Sequence, residues 1–433
     1  MRVALITAGA AGMYCGSCLH DNTLAAALTR HGHDALLIPC YTPIRTDEAD
    51  VSQPRVFLGG INVFLQQKSA LFRHTPRFLD RLFDGRRLLN WVSRFAMTTQ
   101  AERLADLTIS VLQGSHGRQR KEVARLVDWL AADVKPEIVV LTNVLLSGVV
   151  PELKRRLGVP VLAELQGDDI YLESLPAGPR ARAIELIREQ CRAVDGYLVT
   201  CRYYADFMAG YLGLPRERMH VVFPGLNLKG HGGPRPPAAD GAPPVVGYFA
   251  RIAPEKGLHN LVDAFIMLRQ SPGAPACRLR ASGWLGAHNR PYLDGLVRRL
   301  RDAGLAGDFE HVDSPALADK VRFIQSLDVL SVPTTYREPK GLYVLESLAN
   351  GVPVVQPRHG SFPELIEATG GGLLVEPDDP ADLARGLRRL LDDPALRREL
   401  GARGRAAVHA RFTDDEMARQ TLEVFRRYVP AAG

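Results

Sequence analysis

Strand-length apolar runs rich in β-branched residues alternate with helical patterns along nearly the whole chain, and they do so in two separate series. The first series places strands at 3–7, 35–39, 138–142, 161–165, 197–200 and 221–223. Helical spacing falls between them at 21–31, 122–132, 149–157, 181–193 and 203–212. Residues 224–244 are dense in Gly, Pro and small polar side chains and read as a linker. The pattern then restarts, with strands at 245–249, 279–282, 310–312, 330–333, 352–355 and 373–375. Helices are expected at 258–269, 291–303, 316–326, 341–350, 381–391 and 395–409. Such alternation is the signature of parallel α/β layers. Two series predict two Rossmann-like, doubly wound parallel-sheet domains facing across a cleft, with ligands outside the carboxyl ends of the strands.

A length of 433 residues agrees with two domains of about 200 residues each. No run approaches the roughly 20 apolar residues of a membrane span. Residues 1–13 could be weighed as a signal peptide, but they read better as a strand entering a small-residue loop, so a cytoplasmic protein is expected. The net charge of +6 is spread over many arginines and suits anionic small ligands or a membrane surface. No nucleic-acid motif accompanies it. Among six cysteines only Cys15 and Cys18 are close, with His20 just after, too few ligands for a zinc site. A redox pair is one reading; buried thiols at a loop–helix junction are the favoured one.

The chemistry concentrates in residues 336–355, YREPKGLYVLESLANGVPVV. Pro339 is expected at or just before the start of a helix that Gly351 ends. Glu338 precedes this helix and Glu346 lies inside it. The free N–H groups of Gly341, Leu342 and Tyr343 would form a positive terminus able to seat a phosphate. Gly341 lets a ligand approach the backbone. From Gly341 to Glu346 is roughly 7 Å along the axis, at about 1.5 Å per residue. A ligand with a central diphosphate and hydroxyl-rich ends, such as a nucleotide-sugar, suits that spacing.

This stretch, E-P-x-G-L-x-x-L-E-S-L-A-N-G-V-P-V-V, resembles the signature of the retaining family-4 glycosyltransferases of the GT-B fold. The resemblance implies Glu338 near the donor sugar's hydroxyls and Glu346 on the nucleotide ribose. Arg251 and Lys256, at the carboxyl end of a strand, could neutralise a leaving diphosphate. Their R-x4-K-G run also resembles the family's diphosphate-binding pair. Gly283 and Trp284 resemble its second nucleotide loop, although Trp284 could equally be core. Glu364 is placed to meet a donor hydroxyl or merely to favour a helix's positive end, and Ser361 to cap a helix starting near Pro363. Gly12 and Gly16 match the N-terminal glycine loop loosely. Gln166 stands where the family commonly has a donor-reaching His. It can form hydrogen bonds but cannot titrate. Lys340 replaces a usual aromatic, where it would add charge near the phosphates or point to solvent, and Gly225-Leu226-Asn227 replaces Asn-Gly-Val-Asp.

The expected division is an acceptor-side domain at 1–225 with a helical insertion at 60–117, a linker at 226–244, a nucleotide-sugar-binding domain at 245–411, and a terminal helix at 412–433. In the family that helix returns to the first domain. The basic–aromatic stretch within 60–95 either packs as an ordinary helical subdomain or rests against anionic lipid at the inner membrane face. No D-x-D string occurs, so no metal is expected and no cofactor beyond the nucleotide-sugar co-substrate. The resulting expectation is a retaining hexosyltransferase acting on a glycan, lipid-linked or small-molecule hydroxyl. The rivals are a paired-acid glycoside hydrolase, a sugar-nucleotide epimerase or phosphorylase on the same plan, and a silent nucleotide-sugar-binding scaffold.

Overall fold

The computed structural model describes residues 1–9, 16–54, 56–57, 101–234, 241–314 and 316–429, with only the backbone of 101–104. Gly12, Cys15 and most of the expected 60–117 insertion, including 60–95, lie outside the described residues. The chain divides into two compact units, one of Met1–Gly225 with Asp414–Gly433 and one of Leu226–Thr413.

The first unit runs β1 (Arg2–Thr7), α1 (Gly16–Arg30), β2 (Asp34–Pro39), α2 (Ala101–Leu112), α3 (Arg120–Trp129), β3 (Ile138–Leu141), α4 (Val150–Leu157), β4 (Val161–Leu165), α5 (Asp168–Glu173), α6 (Ala177–Gln190), β5 (Gly196–Val199), α7 (Arg202–Leu212) and β6 (Met219–Val221). Its six strands form one sheet in the order β2-β1-β3-β4-β5-β6, and every pairing is parallel. Strands β3 and β4 are buried along their whole length because helices cover both faces, which is why their sequences lack the alternation of a half-exposed strand.

The second unit runs β7 (Val245–Phe249), α8 (Leu258–Gln270), β8 (Arg278–Ser282), α9 (Arg290–Asp302), β9 (Phe309–Val312), α10 (Leu317–Gln325), β10 (Val329–Leu330), α11 (Leu342–Ala349), β11 (Val354–Pro357), α12 (Phe362–Thr369), β12 (Gly372–Val375), α13 (Pro380–Asp392) and α14 (Pro394–Arg411). Its sheet is ordered β12-β11-β10-β7-β8-β9, again all parallel. Val246, Tyr248, Leu261, Phe265, Leu279, Leu345, Leu348 and Val354 are fully buried in its core. Residues 226–234, expected as free linker, belong to this unit: the Leu226 amide donates to Phe412 and the Gly232 amide to Asn350.

The last helix, α15 (Asp414–Phe425), packs on the first unit. Met417, Leu422 and Phe425 join Leu24, Ala25 and Leu28 of α1 in one apolar cluster. Tyr428 beyond it donates to or accepts from His220 at 2.7 Å. Among the described residues no helix is long and apolar enough to cross a membrane.

Three strands depart from the sequence reading by two residues or more at a boundary. β11 begins at Val354 rather than 352, because Val352 closes the end of α11: its amide donates to Ser347 O and its carbonyl accepts from Ser347 Oγ. β10 stops at Leu330, since the Val332 amide turns to the side chain of Gln356 instead of a ladder partner. β6 covers Met219–Val221 rather than 221–223.

Candidate functional site

In an open parallel sheet, ligands collect where the strand order reverses. In the second unit that point lies between the carboxyl ends of β7 and β10. Residues 250–257 follow β7 and residues 331–341 follow β10, so topology alone brings Arg251 and Lys256 beside the Glu338 loop.

Glu338 is 4% exposed. Its Oε2 accepts from Lys256 Nζ at 2.8 Å, from Tyr336 Oη at 2.5 Å and from Tyr343 Oη at 3.3 Å. Its Oε1 takes the amides of Lys340 at 3.3 Å and Gly341 at 3.4 Å. Burial works to raise the pKa of this carboxyl, but Lys256, Tyr336 and Lys340 outweigh it and bring it down to about 2. Lys256 also donates to Tyr336 and lies over the Tyr336 ring at 4.8 Å and the Tyr343 ring at 5.6 Å. Burial, with the Glu338 charge, keeps both phenols protonated well above their usual range.

Arg251 pairs with Glu255 at 2.6 Å and remains about one-third exposed. The loop bearing Gly283 and Trp284 is tied to the same strand end, for the Ile252 amide donates to Trp284 O at 2.9 Å. Trp284 is half-buried, 6.4 Å from His288, and is not core.

Helix α11 starts at Leu342, and Gly341 precedes it in the left-handed region (φ 65°), a conformation that explains a glycine there. Pro339 lies in the loop before this cap rather than at the helix start. The Gly341 amide leans on Glu338, so the protein's own carboxylate already faces this positive terminus. Further along α11, Glu346 is also buried and receives Lys320 Nζ of α10 at 2.7 Å. Lys340 is buried, 7% exposed, and does not point to solvent. Glu364 is half-buried in the first turn of α12. Ser361 precedes α12, yet its side chain makes no capping bond. A basic groove lined by Asn350, Gly351, Arg397, Arg405 and His409 opens at the other end of α11 and contains none of these groups.

In the first unit Gly16 is the exposed first residue of α1. Gln166, at the end of β4, is buried, and its amide donates to Asp21 Oδ1 at 2.8 Å, Glu164 Oε2 at 2.5 Å and Thr142 O at 3.1 Å. Thr7 donates to the other oxygen of Asp21 at 2.7 Å. His20, Asp21 and Glu164, which sequence reasoning did not join, thus form a buried polar cluster whose potential ligand atoms lie within 4.8 Å of one another. Nothing in the spacing of 20–21 and 164 announces it; only the sheet order does, which sets β4 two strands from β1, the strand that α1 follows. Asp168 is held by the Val144 and Gln166 amides, and burial pushes its pKa up to about 6. Cys18 is buried in α1.

Comparison with known proteins follows the same division. Residues 22–225 match the family described as Glycosyl transferase 4-like domain, and residues 234–407 match Glycosyl transferases group 1. A D-inositol 3-phosphate glycosyltransferase of Salinispora arenicola is 31% identical over 319 residues, 66% of this chain and 68% of that protein. One of Streptomyces bingchenggensis is 32% identical over 248 residues, 54% of this chain, and this chain spans only 53% of its length. The fold matches sucrose-phosphate synthase from Thermosynechococcus elongatus with a TM-score of 0.70 at 20% identity, covering 99% of both chains. It also matches Anabaena Alr3699/HepE, solved in complex with UDP and glucose, with a TM-score of 0.68 at 17% identity, covering 99% of this chain and 100% of that one. With two helix-flanked parallel sheets and both halves matched, the chain belongs to the glycosyltransferases of the group 1 and 4-like families, built on the GT-B fold.

Proposed function

We propose that this protein is a retaining, metal-independent glycosyltransferase that moves a sugar from a nucleoside-diphosphate sugar to an acceptor hydroxyl. The observation that carries the reading is the buried assembly of Lys256, Glu338, Tyr336 and the Gly341 amide at the strand-order reversal of the second unit. Breaking the sugar–oxygen bond places negative charge on the departing diphosphate. Arg251, Lys256 and the α11 terminus supply positive charge for it without a metal. Glu338 then serves the sugar end of the donor and Glu346 the ribose, with Gly283, Trp284, Leu342, Lys340 and Glu364 around them. The acceptor hydroxyl attacks the face the diphosphate leaves, and a departing phosphate oxygen takes its proton. The relatives' names make a phosphorylated cyclitol one acceptor worth trying.

One observation favours a second reading, a silent nucleotide-sugar-binding protein: the Gln166 amide is committed to Asp21, Glu164 and Thr142. Release of nucleoside diphosphate from UDP-, GDP-, ADP- and dTDP-sugars, with and without acceptors, separates the two. The transferase reading requires acceptor-stimulated release from at least one donor, with the anomeric configuration kept and activity unchanged by a chelator. Donor binding without any release supports the silent reading.

A further inference from the structure

Ser361 stands where a helix-capping serine belongs, but its hydroxyl does not cap α12. The residue is 1% exposed, and Oγ has no hydrogen-bond partner. A buried hydroxyl left unpaired costs free energy that an alanine would avoid. Its position is specific: the Ser361 amide donates to Glu338 O at 2.8 Å, and a Cβ built on Gly341 would lie 3.4 Å from Oγ. The hydroxyl therefore sits beside the cap of α11 at the start of α12, where two eight-residue helices present their positive ends. Glu338 and Lys340 on the neighbouring loop are only 4% and 7% exposed, so groups assigned to the donor are themselves enclosed here and Ser361 lies just behind them.

We infer that Ser361 is a further donor-binding residue, whose hydroxyl donates a hydrogen bond to the sugar-bearing phosphate of a nucleoside-diphosphate sugar. The inference rests on the donor site proposed above. Two converging helix termini favour an anionic oxygen over a neutral sugar hydroxyl at this position. Most buried side-chain hydroxyls are paired within the protein, and this one differs in facing two helix termini beside the proposed diphosphate seat.

The test is calorimetric titration of wild type, Ser361→Ala and Ser361→Cys with UDP, GDP, ADP and dTDP, and with the matching monophosphates. The melting temperature of each free protein is measured alongside. The diphosphate that binds wild type should bind Ser361→Ala about tenfold or more weakly. The monophosphate should change less than twofold, and the free alanine variant should melt at or above the wild-type temperature. Ser361→Cys, nearly the same shape with a weak donor, should follow alanine. Equal diphosphate affinity in wild type and Ser361→Ala would overturn the inference alone. So would a proportionate loss of both nucleotides with a lowered melting temperature, the mark of a structural role. If wild type bound none of the four diphosphates, the donor site itself would be refuted and this inference with it.

Discussion

Lys256 and Glu338, separated by 82 residues, meet at 2.8 Å with side-chain exposures of only 15% and 6%. Each charge is the other's main compensation in a setting that would otherwise expel both. Two phenols, Tyr336 and Tyr343, complete the enclosure. The pair fixes an ammonium beside a helix terminus before any ligand arrives, the preorganisation that stabilising a leaving anion demands.

Glu338→Gln keeps the shape and some hydrogen bonds but strands the Lys256 charge. It should lower the unfolding free energy by about 3 kcal/mol in urea titration. It should also reduce kcat/KM by about a hundredfold. Stability within 0.5 kcal/mol of wild type, roughly what a surface change produces, would mean the ion pair contributes little.

Acid dependence should run in opposite directions at two carboxyls. Glu338 has its pKa depressed from 4.5 to about 2, with Lys256 and Tyr336 overcoming burial. Its contribution is therefore complete above the unfolded pKa and lost as pH falls from about 4.5 towards 2. Asp168 is raised by burial from 3.8 to about 6, so its contribution is complete below 3.8 and lost as pH rises through 6. Urea unfolding across this range, comparing wild type with Glu338→Gln and with Asp168→Asn, should give difference curves of opposite slope. A flat curve for either residue would contradict its assignment.

The Lys320–Glu346 pair makes a prediction about nucleotide selectivity. If Glu346 reads the ribose, Glu346→Gln should weaken binding of the preferred nucleoside diphosphate about tenfold, the worth of one charge-assisted hydrogen bond. The preference for the ribonucleotide over its 2′- or 3′-deoxy form should shrink toward unity. An unchanged ratio would place the ribose elsewhere.

Gly257 holds the turn that delivers Lys256. Its φ is 73°, and a Cβ there would stand 1.7 Å from the Pro333 carbonyl oxygen. Gly257→Ala should cost about 3 kcal/mol or more, a left-handed penalty of about 1–2 kcal/mol plus the forced separation of the β7 and β10 loops. Chemical denaturation measures this directly, and an alanine variant as stable as wild type would contradict the tight approach.

Much of this was legible in the chain itself, for reasons that also explain what was not. Fully buried parallel strands such as 138–141 must be apolar throughout, and Gly341 must be small where φ is positive, so both leave a local mark. Pairings across the sheet leave none. Lys320 is one of 54 basic residues until α10 sets it against Glu346. Tyr336 and Tyr343 read as ordinary aromatics until they close on one carboxylate. The place of Gln166 after a strand points towards a ligand, and its bridge between two acids of different elements shows only in the fold. Ser361 carried a capping pattern whose hydroxyl the fold leaves unused.

The most direct measurement is a crystal structure with the nucleoside-diphosphate sugar that gives the largest thermal stabilisation. The account predicts the diphosphate within hydrogen-bonding distance of Lys256 Nζ and the Gly341 amide, with Arg251 turned from Glu255 towards it. The ribose should lie against Glu346. A diphosphate bound elsewhere, with the Lys256–Glu338 pair and the Arg251–Glu255 pair as they stand here, would contradict it.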